Sequence, residues 1–411
     1  MIKRSFLFLL AILLMGSSLR AQTEAQPIRL SNIWVTYDYY SFTPGGFRWM
    51  QDDNFYTDLE EGKGISKYSV SDEKKVGQIL SFRNIDLGIP PEAVEGYELS
   101  SDEKKVLLKA NIESIYRRSR KQSCFVVDLE SKEVSRINGG KKIINPSLSP
   151  DGSKIAFVYD NNIYYTDLET DEQIQVSSDG KYNEVINGLP DWVYEEEFGF
   201  VNALKWSPDG NKIGFYRFDE SRVKMWNMPI YGSLYPDQFT FKYPKAGEEN
   251  SKVSIHIYDL QKGNTTMADL GEEEDQYIPR IKWMKDGTAL AVMRLNRLQN
   301  KLDLLSIDPE TGRSRVLLTE KSDTYVDGAS DDKWYFLESG EGFLWMSEDS
   351  GYKHIFLHDM EGNRQQMITS GDWQVDQLIG VDEEEEWIYF TSTEVSPLER
   401  QLYRINFKGK R

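Results

Sequence analysis

Three stretches of this chain repeat one pattern: LSPDGSKIAFVYD (148–160), WSPDGNKIGFYRF (206–218) and WMKDGTALAVMRL (283–295). Each sets a tryptophan or leucine before an Asp-Gly turn and follows it with an alternating apolar run. Asp-Gly tolerates the positive φ that tight hairpins need, so the turn predicts two antiparallel strands around it. LSSDEKKVLLKAN (99–111) and VSDEKKVGQIL (70–80) are weaker copies.

A second element travels with the first. Asp-Leu closes four strand-like runs, FYTDLEEGK (55–63), FVVDLESKE (125–133), IYYTDLETDE (163–172) and IHIYDLQKG (255–263). SIDPETGRSRVLL and LHDMEGNRQQMI are degenerate relatives. Units begin near 49, 99, 148, 206, 283, 337 and 381, a spacing somewhat above the roughly 40–50 residues of a propeller blade. Short sheets repeated radially bury their faces against one another and leave only short edges. The expected fold is therefore all-β, a β-propeller of seven or more blades spanning 22–411. The last unit, EEEEWIYFTSTEVSPLERQLYRINFKGKR, supplies two strands and stops, so its blade is expected to be incomplete.

Charge limits the partners. The net charge is -18, which disfavours nucleic acid, because affinity for phosphates is carried by Lys and Arg. In a cleft the same balance favours a cation. Lys3 and Arg4 precede an apolar run, Phe6 to Met15, too short to span a bilayer, and small residues follow. Residues 1–21 thus read as a secretory signal cleaved after Ala21, and the protein as exported, periplasmic or secreted. No other stretch is apolar enough for a membrane span. Cys124 is the only cysteine, so no intrachain disulfide can form, and its apolar run SCFVVDL suits a buried thiol. No cysteine ends the signal segment, which disfavours a lipid anchor.

DWVYEEEFGF (191–200) sets three glutamates among four aromatic residues. GEEED (271–275) and DEEEE (382–386) are controls, acidic runs that read as solvated turns. Pro190 and Asp191 signal a helical start with Asp191 as N-cap. In such a helix residues 196 and 197 lie about 100° apart, so both carboxylates can lean toward one point. Glutamates in a first turn also suit the helix dipole, which needs no ligand to explain it. Two carboxylates held together become favourable when a cation sits between them, and a protonated α-amine carries donors for both.

DWVYEEEFG resembles the glutamate motif of the dipeptidyl peptidase IV family, serine exopeptidases with an eight-bladed propeller followed by an α/β-hydrolase domain. LKWSPDGNKIGFYRFDE, YPKAGEEN (243–250), LNRLQN (295–300), SGYKHIFL (350–357), ITSGDW (368–373) and ESIYRRSRKQSCFVVDL (113–129) extend the likeness over nearly the whole mature chain. The resemblance implies that Glu196 and Glu197 bind a substrate's free N-terminal amine, that Arg117 holds the carbonyl of the penultimate residue, and that Glu195 is structural. It implies release of Xaa-Pro or Xaa-Ala dipeptides, peptides with a free N-terminus as partners, and homodimers formed partly through an extension bordered by YPDQFTFKYPKAG (235–247). Arg297 and Asn300 read as structural.

The chain departs from the family in its chemistry. It contains no G-x-S-x-G elbow, and His256, His354 and His358 all fall in strand-like runs. No catalytic residue, metal ligand set or cofactor loop is expected, and the catalytic domain is expected to be absent from this chain. The competing reading is a stand-alone propeller that grips peptides or proteins without chemistry. A related exopeptidase releasing tripeptides is a third.

Overall fold

The structure, a computed structural model, describes residues 27–40, 46–326 and 333–410. The signal segment expected at 1–21 lies outside the described residues. Residues up to Phe47 form one unit, in which Leu30–Trp34 is a short helix. Arg48–Arg411 form the other, and it holds the sheets.

The repeated turn is one physical object made several times. Ser149 Oγ donates to Asp151 at 2.5 Å and accepts the Lys154 amide at 2.9 Å, while Gly152 takes φ 67°. Ser207, Asp209, Lys212 and Gly210 build the same turn, with φ 69° at the glycine. Ser100, Asp102 and Lys105 build it again with Glu103 at φ 58° in the glycine position. The Asp-Leu element has its own cause. Asp128 accepts the Glu130 and Ser131 amides, Asp167 those of Glu169 and Thr170, and Asp259 those of Gln261 and Lys262. The degenerate relatives do likewise through Asp308 and Asp359. Each aspartate thus stops a strand by offering the backbone side-chain acceptors in place of a ladder partner.

Among the described residues the turns join antiparallel strands into seven repeats. The first sheet runs Arg48–Trp49, Phe55–Glu60, Gly64–Ser69 and Lys75–Ser81 in order. The next two repeats merge into one eight-stranded sheet, because Lys121 and Gln122 pair with Ile144 and Ile143 across the junction. The fourth and fifth repeats are five-stranded, the sixth is four-stranded, and the seventh has Val375–Asp382, Trp387–Ser392 and Gln401–Asn406. The seventh therefore has three strands, one more than its sequence pattern predicts. Its extra strand precedes the acidic turn. The Asp-Gly turn likewise sits inside each unit, since the short run before it, such as Ile143–Leu148, pairs with the strand after it.

Strand side chains alternate between two buried faces. Leu107 and Val126 pack with Ile143, Ile155 and Phe157 of the third repeat, whereas Val106, Leu108 and Val127 pack with Ile65 and Leu80 of the first. Ala156, Val158 and Ile163 meet Leu204, Ile213 and Phe215 of the fourth. Tyr216 and Phe218, on the opposite face, join the core shared by the fourth, fifth and sixth repeats. Leu344 and Met346 then pack on Ile388 and Phe390 of the seventh. Each repeat thus packs on its neighbours in chain order, as blades of a propeller do. The turns and crossings at the strand ends stay free to carry function.

Candidate functional site

The acidic stretch forms a helix, Trp192–Glu197, in the loop between the strands Val185–Asn187 and Leu204–Trp206 of the fourth repeat. Asp191 is its N-cap. One carboxyl oxygen accepts the Tyr194 amide at 2.9 Å and the other accepts the Ser251 hydroxyl at 2.6 Å. Burial raises the Asp191 pKa above the usual carboxylate range, against the pull of these donors. Tyr194 is buried, and its hydroxyl accepts the Ile278 amide at 2.8 Å. Phe198 and Phe218 lie with ring centroids 4.9 Å from it. The aromatic residues around the glutamates therefore anchor the helix to the core, and the helix holds its orientation without a ligand.

The three glutamates divide by helical phase. Glu195 is fully buried, and its Oε1 accepts the amides of Arg118 at 2.6 Å and Ser119 at 2.9 Å. Its own backbone carbonyl accepts Arg118 Nη1 at 2.8 Å. Glu196 turns toward the same loop, with Oε2 3.3 Å from Arg117 Nη1 and 3.5 Å from Arg118 Nη1. Glu197 is exposed. The structure thus brings Arg117 and Glu196 together on two segments 79 residues apart in sequence, with Glu197 exposed next along the helix.

A third segment walls the site. The insertion between Lys212–Asp219 and Lys252–Asp259 is a two-stranded hairpin, Met225–Ile230 with Asp237–Lys242. Phe239 and Phe241 lie 6.3 and 5.8 Å from the Tyr116 ring, and Tyr243 meets Trp192 edge-on at 4.5 Å. Burial, with Glu220 next in weight, raises the Tyr116 phenol pKa. Glu220 is buried with its pKa raised to about 7, chiefly by burial and then by the Asp191 charge. The arrangement offers carboxylates for a cation, an exposed guanidinium for a carbonyl or carboxylate, and an aromatic wall.

The other singled-out residues take packing roles. His256 stacks on Phe215 and His358 on Phe343, and His354 sits between Thr369 and the Gly371 carbonyl. Burial lowers the pKa of all three, that of His256 to about 4. Arg297 pairs with Asp275 and the Glu248 carbonyl, while Asn300 bonds Asn296. In the control runs Glu274 pairs with Lys252 and Glu386 with Lys408, both at the surface. Cys124 is buried, and burial pushes its thiol up to about 12. Among the described residues no cluster of three or more His, Cys, Asp or Glu is placed to hold a metal ion, and no helix is long and apolar enough to cross a membrane.

Sequence reasoning missed Arg118 and Ser251. Arg118 stands beside Arg117 with the same side chain, and only the tertiary fold shows that Arg118 reaches the Glu195 carbonyl. Ser251 lies in a polar loop, with no local signal that it meets Asp191.

Comparison with known proteins shows the family. Residues 100–411 match the family model of the dipeptidyl peptidase IV (DPP IV) N-terminal region. The inactive dipeptidyl peptidase 10 of Rattus norvegicus is 29% identical over 331 residues, covering 76% of this chain and 42% of its own. A probable dipeptidyl peptidase 4 of Arthroderma benhamiae is 28% identical over 334 residues, covering 78% of this chain and 42% of its own. The crystal structure of Porphyromonas gingivalis dipeptidyl peptidase 4 superposes with a TM-score of 0.86 at 38% identity, over 94% of this chain and 55% of that one. The chain thus spans about half the length of the proteins it matches or less. It belongs to the family of dipeptidyl peptidase IV N-terminal regions, and its fold is that family's propeller.

Proposed function

We propose that this chain is the substrate-recognising propeller of an exported serine-type dipeptidyl peptidase. Glu196 and Glu197 hold the free α-amine of a peptide, and Arg117 takes the carbonyl of the penultimate residue. Two extended residues span at most about 7 Å, so a fixed amine leaves only the second peptide bond within reach of a nucleophile. Cleavage itself, releasing Xaa-Pro or Xaa-Ala dipeptides, belongs to a hydrolase domain outside this chain. The signal segment 1–21 directs export to the periplasm or beyond, and the exposed hairpin Met225–Lys242 contributes to a homodimer.

The observation that carries this reading is the meeting of Arg117 with Glu196 beside an exposed Glu197. Arg117 is 72% exposed, so its ion pair is worth only about 0–1 kcal/mol and opens readily to a ligand. An ammonium arriving at Glu196 can release Arg117 for the peptide carbonyl. Calorimetry with an Ala-Pro-Ala peptide tests the assignment. Glu196→Gln and Glu197→Gln should each weaken binding by at least about tenfold, since a hydrogen bond to a charged group contributes about 1.5–3 kcal/mol. Unchanged affinity in both variants contradicts it.

One observation favours a second reading, a propeller that binds peptides or proteins without chemistry. The relatives of this region include proteins named inactive dipeptidyl peptidase 10. Likeness over the propeller therefore does not separate active from inactive members. Activity toward Ala-Pro-p-nitroanilide in the full-length protein separates them.

A further inference from the structure

The contacts between the glutamate helix and the Tyr116–Arg120 turn are more numerous than an amine clamp needs. Three hydrogen bonds cross a gap of 76 or 77 residues, two into Glu195 Oε1 and one from Arg118 to the Glu195 carbonyl. All involve Glu195, whose side chain is fully buried and does not face a ligand. Its second oxygen, Oε2, is buried with no hydrogen-bond partner among the described residues. A buried polar atom left in that state is unfavourable, so a glutamate here has to be justified by what Oε1 does. What Oε1 does is fix the backbone directly after Arg117.

We propose that Glu195 and Arg118 form a latch that sets the distance between the amine-holding glutamates and Arg117. The inference rests on the amine-clamp reading above for its functional meaning. The Arg117 side chain is mostly exposed and its ion pair with Glu196 is weak, so the position of its backbone decides where it can reach. The Arg118 and Ser119 amides hold that backbone against the helix, and the Arg118 guanidinium reaches over the helix end to the Glu195 carbonyl and to Glu196. The helix is independently tied to the core through Asp191 and Tyr194. Amine site and carbonyl site thus sit on separate segments, and beside the exposed Arg117–Glu196 pair the Glu195–Arg118 contacts are the hydrogen-bonded link between them. Without it each half persists, but their spacing is no longer fixed, and a ligand touching both must order the loop itself. Glu195 and Arg118 are positioning residues.

The test combines amide hydrogen exchange with a binding cycle on the full chain, using Ala-Pro-Ala as probe. Glu195→Ala should remove protection at the Arg118 and Ser119 amides. Glu195→Gln should keep it, because its amide oxygen can accept the same two N–H groups. In the wild type and in Glu195→Gln, Arg117→Ala should weaken peptide binding on the order of tenfold. In Glu195→Ala the same Arg117→Ala change should cost less than about twofold, the sign of lost coupling, and in Arg118→Ala, which keeps both amide bonds to Oε1, the cost should fall between the two. Unchanged amide protection in Glu195→Ala overturns the latch, and so does an Arg117→Ala effect of equal size in all backgrounds. If Glu195→Ala does not fold, Arg118→Ala and Glu195→Gln still decide the coupling. Equal wild-type affinity for free and N-acetylated peptide contradicts the amine clamp instead, and the exchange result then decides the latch alone.

Discussion

Arg117 Nη1 lies 3.3 Å from Glu196 Oε2, yet the two residues belong to different repeats and differ sharply in exposure, 72% against 17% for their side chains. The glutamate is held in place and the arginine is not. An ion pair of this kind stabilises little, because water screens the exposed partner and a long side chain loses freedom. Arg117→Ala should therefore shift unfolding by no more than about 0.5 kcal/mol. The same change should weaken peptide binding on the order of tenfold. Denaturant melts and calorimetry on one preparation check both. A large stability loss would mean that the pair is structural.

The N-cap supports the site from behind. Asp191→Ala removes the acceptor for the Tyr194 amide and leaves the Ser251 hydroxyl without its partner. Losing a cap costs about 0.5–2 kcal/mol, and an orphaned buried group adds to that. A lower urea midpoint with an unchanged m-value is expected.

Glu220 should make stability depend on pH. Its folded pKa is raised to about 7 from an ordinary 4.5, so the folded chain holds a proton that the unfolded chain releases. This contribution is fully present below about pH 4.5 and is lost as pH rises through about 7. Glu220→Gln should flatten the curve across that window and raise the melting temperature at pH 8. The other carboxyls with lowered pKa values, Asp128 and Asp167 among them, act in the opposite direction at lower pH. A wild-type melting temperature that does not fall between pH 5 and 8, relative to Glu220→Gln, contradicts the assignment.

One turn carries avoidable strain. Glu103 occupies φ 58° where Gly152 and Gly210 stand in the sister turns. The left-handed conformation costs a non-glycine residue about 1–2 kcal/mol, and glycine gives part of that back as chain entropy in the unfolded state. Glu103 Oε1 also accepts the Gln51 amide at 2.6 Å, so Glu103→Gly loses that bond as it relieves the strain and should change stability by less than about 0.5 kcal/mol. A chemical denaturation curve checks the size.

The turn also shows what the sequence makes legible. Ser-x-Asp in three repeats encodes hydrogen bonds within six residues, so a local pattern is enough to place the hairpin. Asp308 and Asp359 keep the strand-ending role although the leucine after them is gone, because only the carboxyl does the work. The three-stranded seventh repeat was less legible, since Val375–Asp382 precedes the acidic turn from which the unit is counted. Within the site, Asp191 and the helix could be read locally. The division of labour among Glu195, Glu196 and Glu197 could not, because three identical side chains differ only in which way the helix turns them. Arg118 was illegible for the same reason. Its partner lies 77 residues away.

The central claim is that Glu196 and Glu197 recognise a free α-amine. The most direct test is titration of the wild-type chain with Ala-Pro-Ala and with the same peptide N-acetylated. The account predicts that acetylation weakens binding by at least about tenfold, because it removes the charge and two of the three donors. Equal affinities would contradict it, and the glutamates would then be a helix end and a loop anchor with no amine to hold.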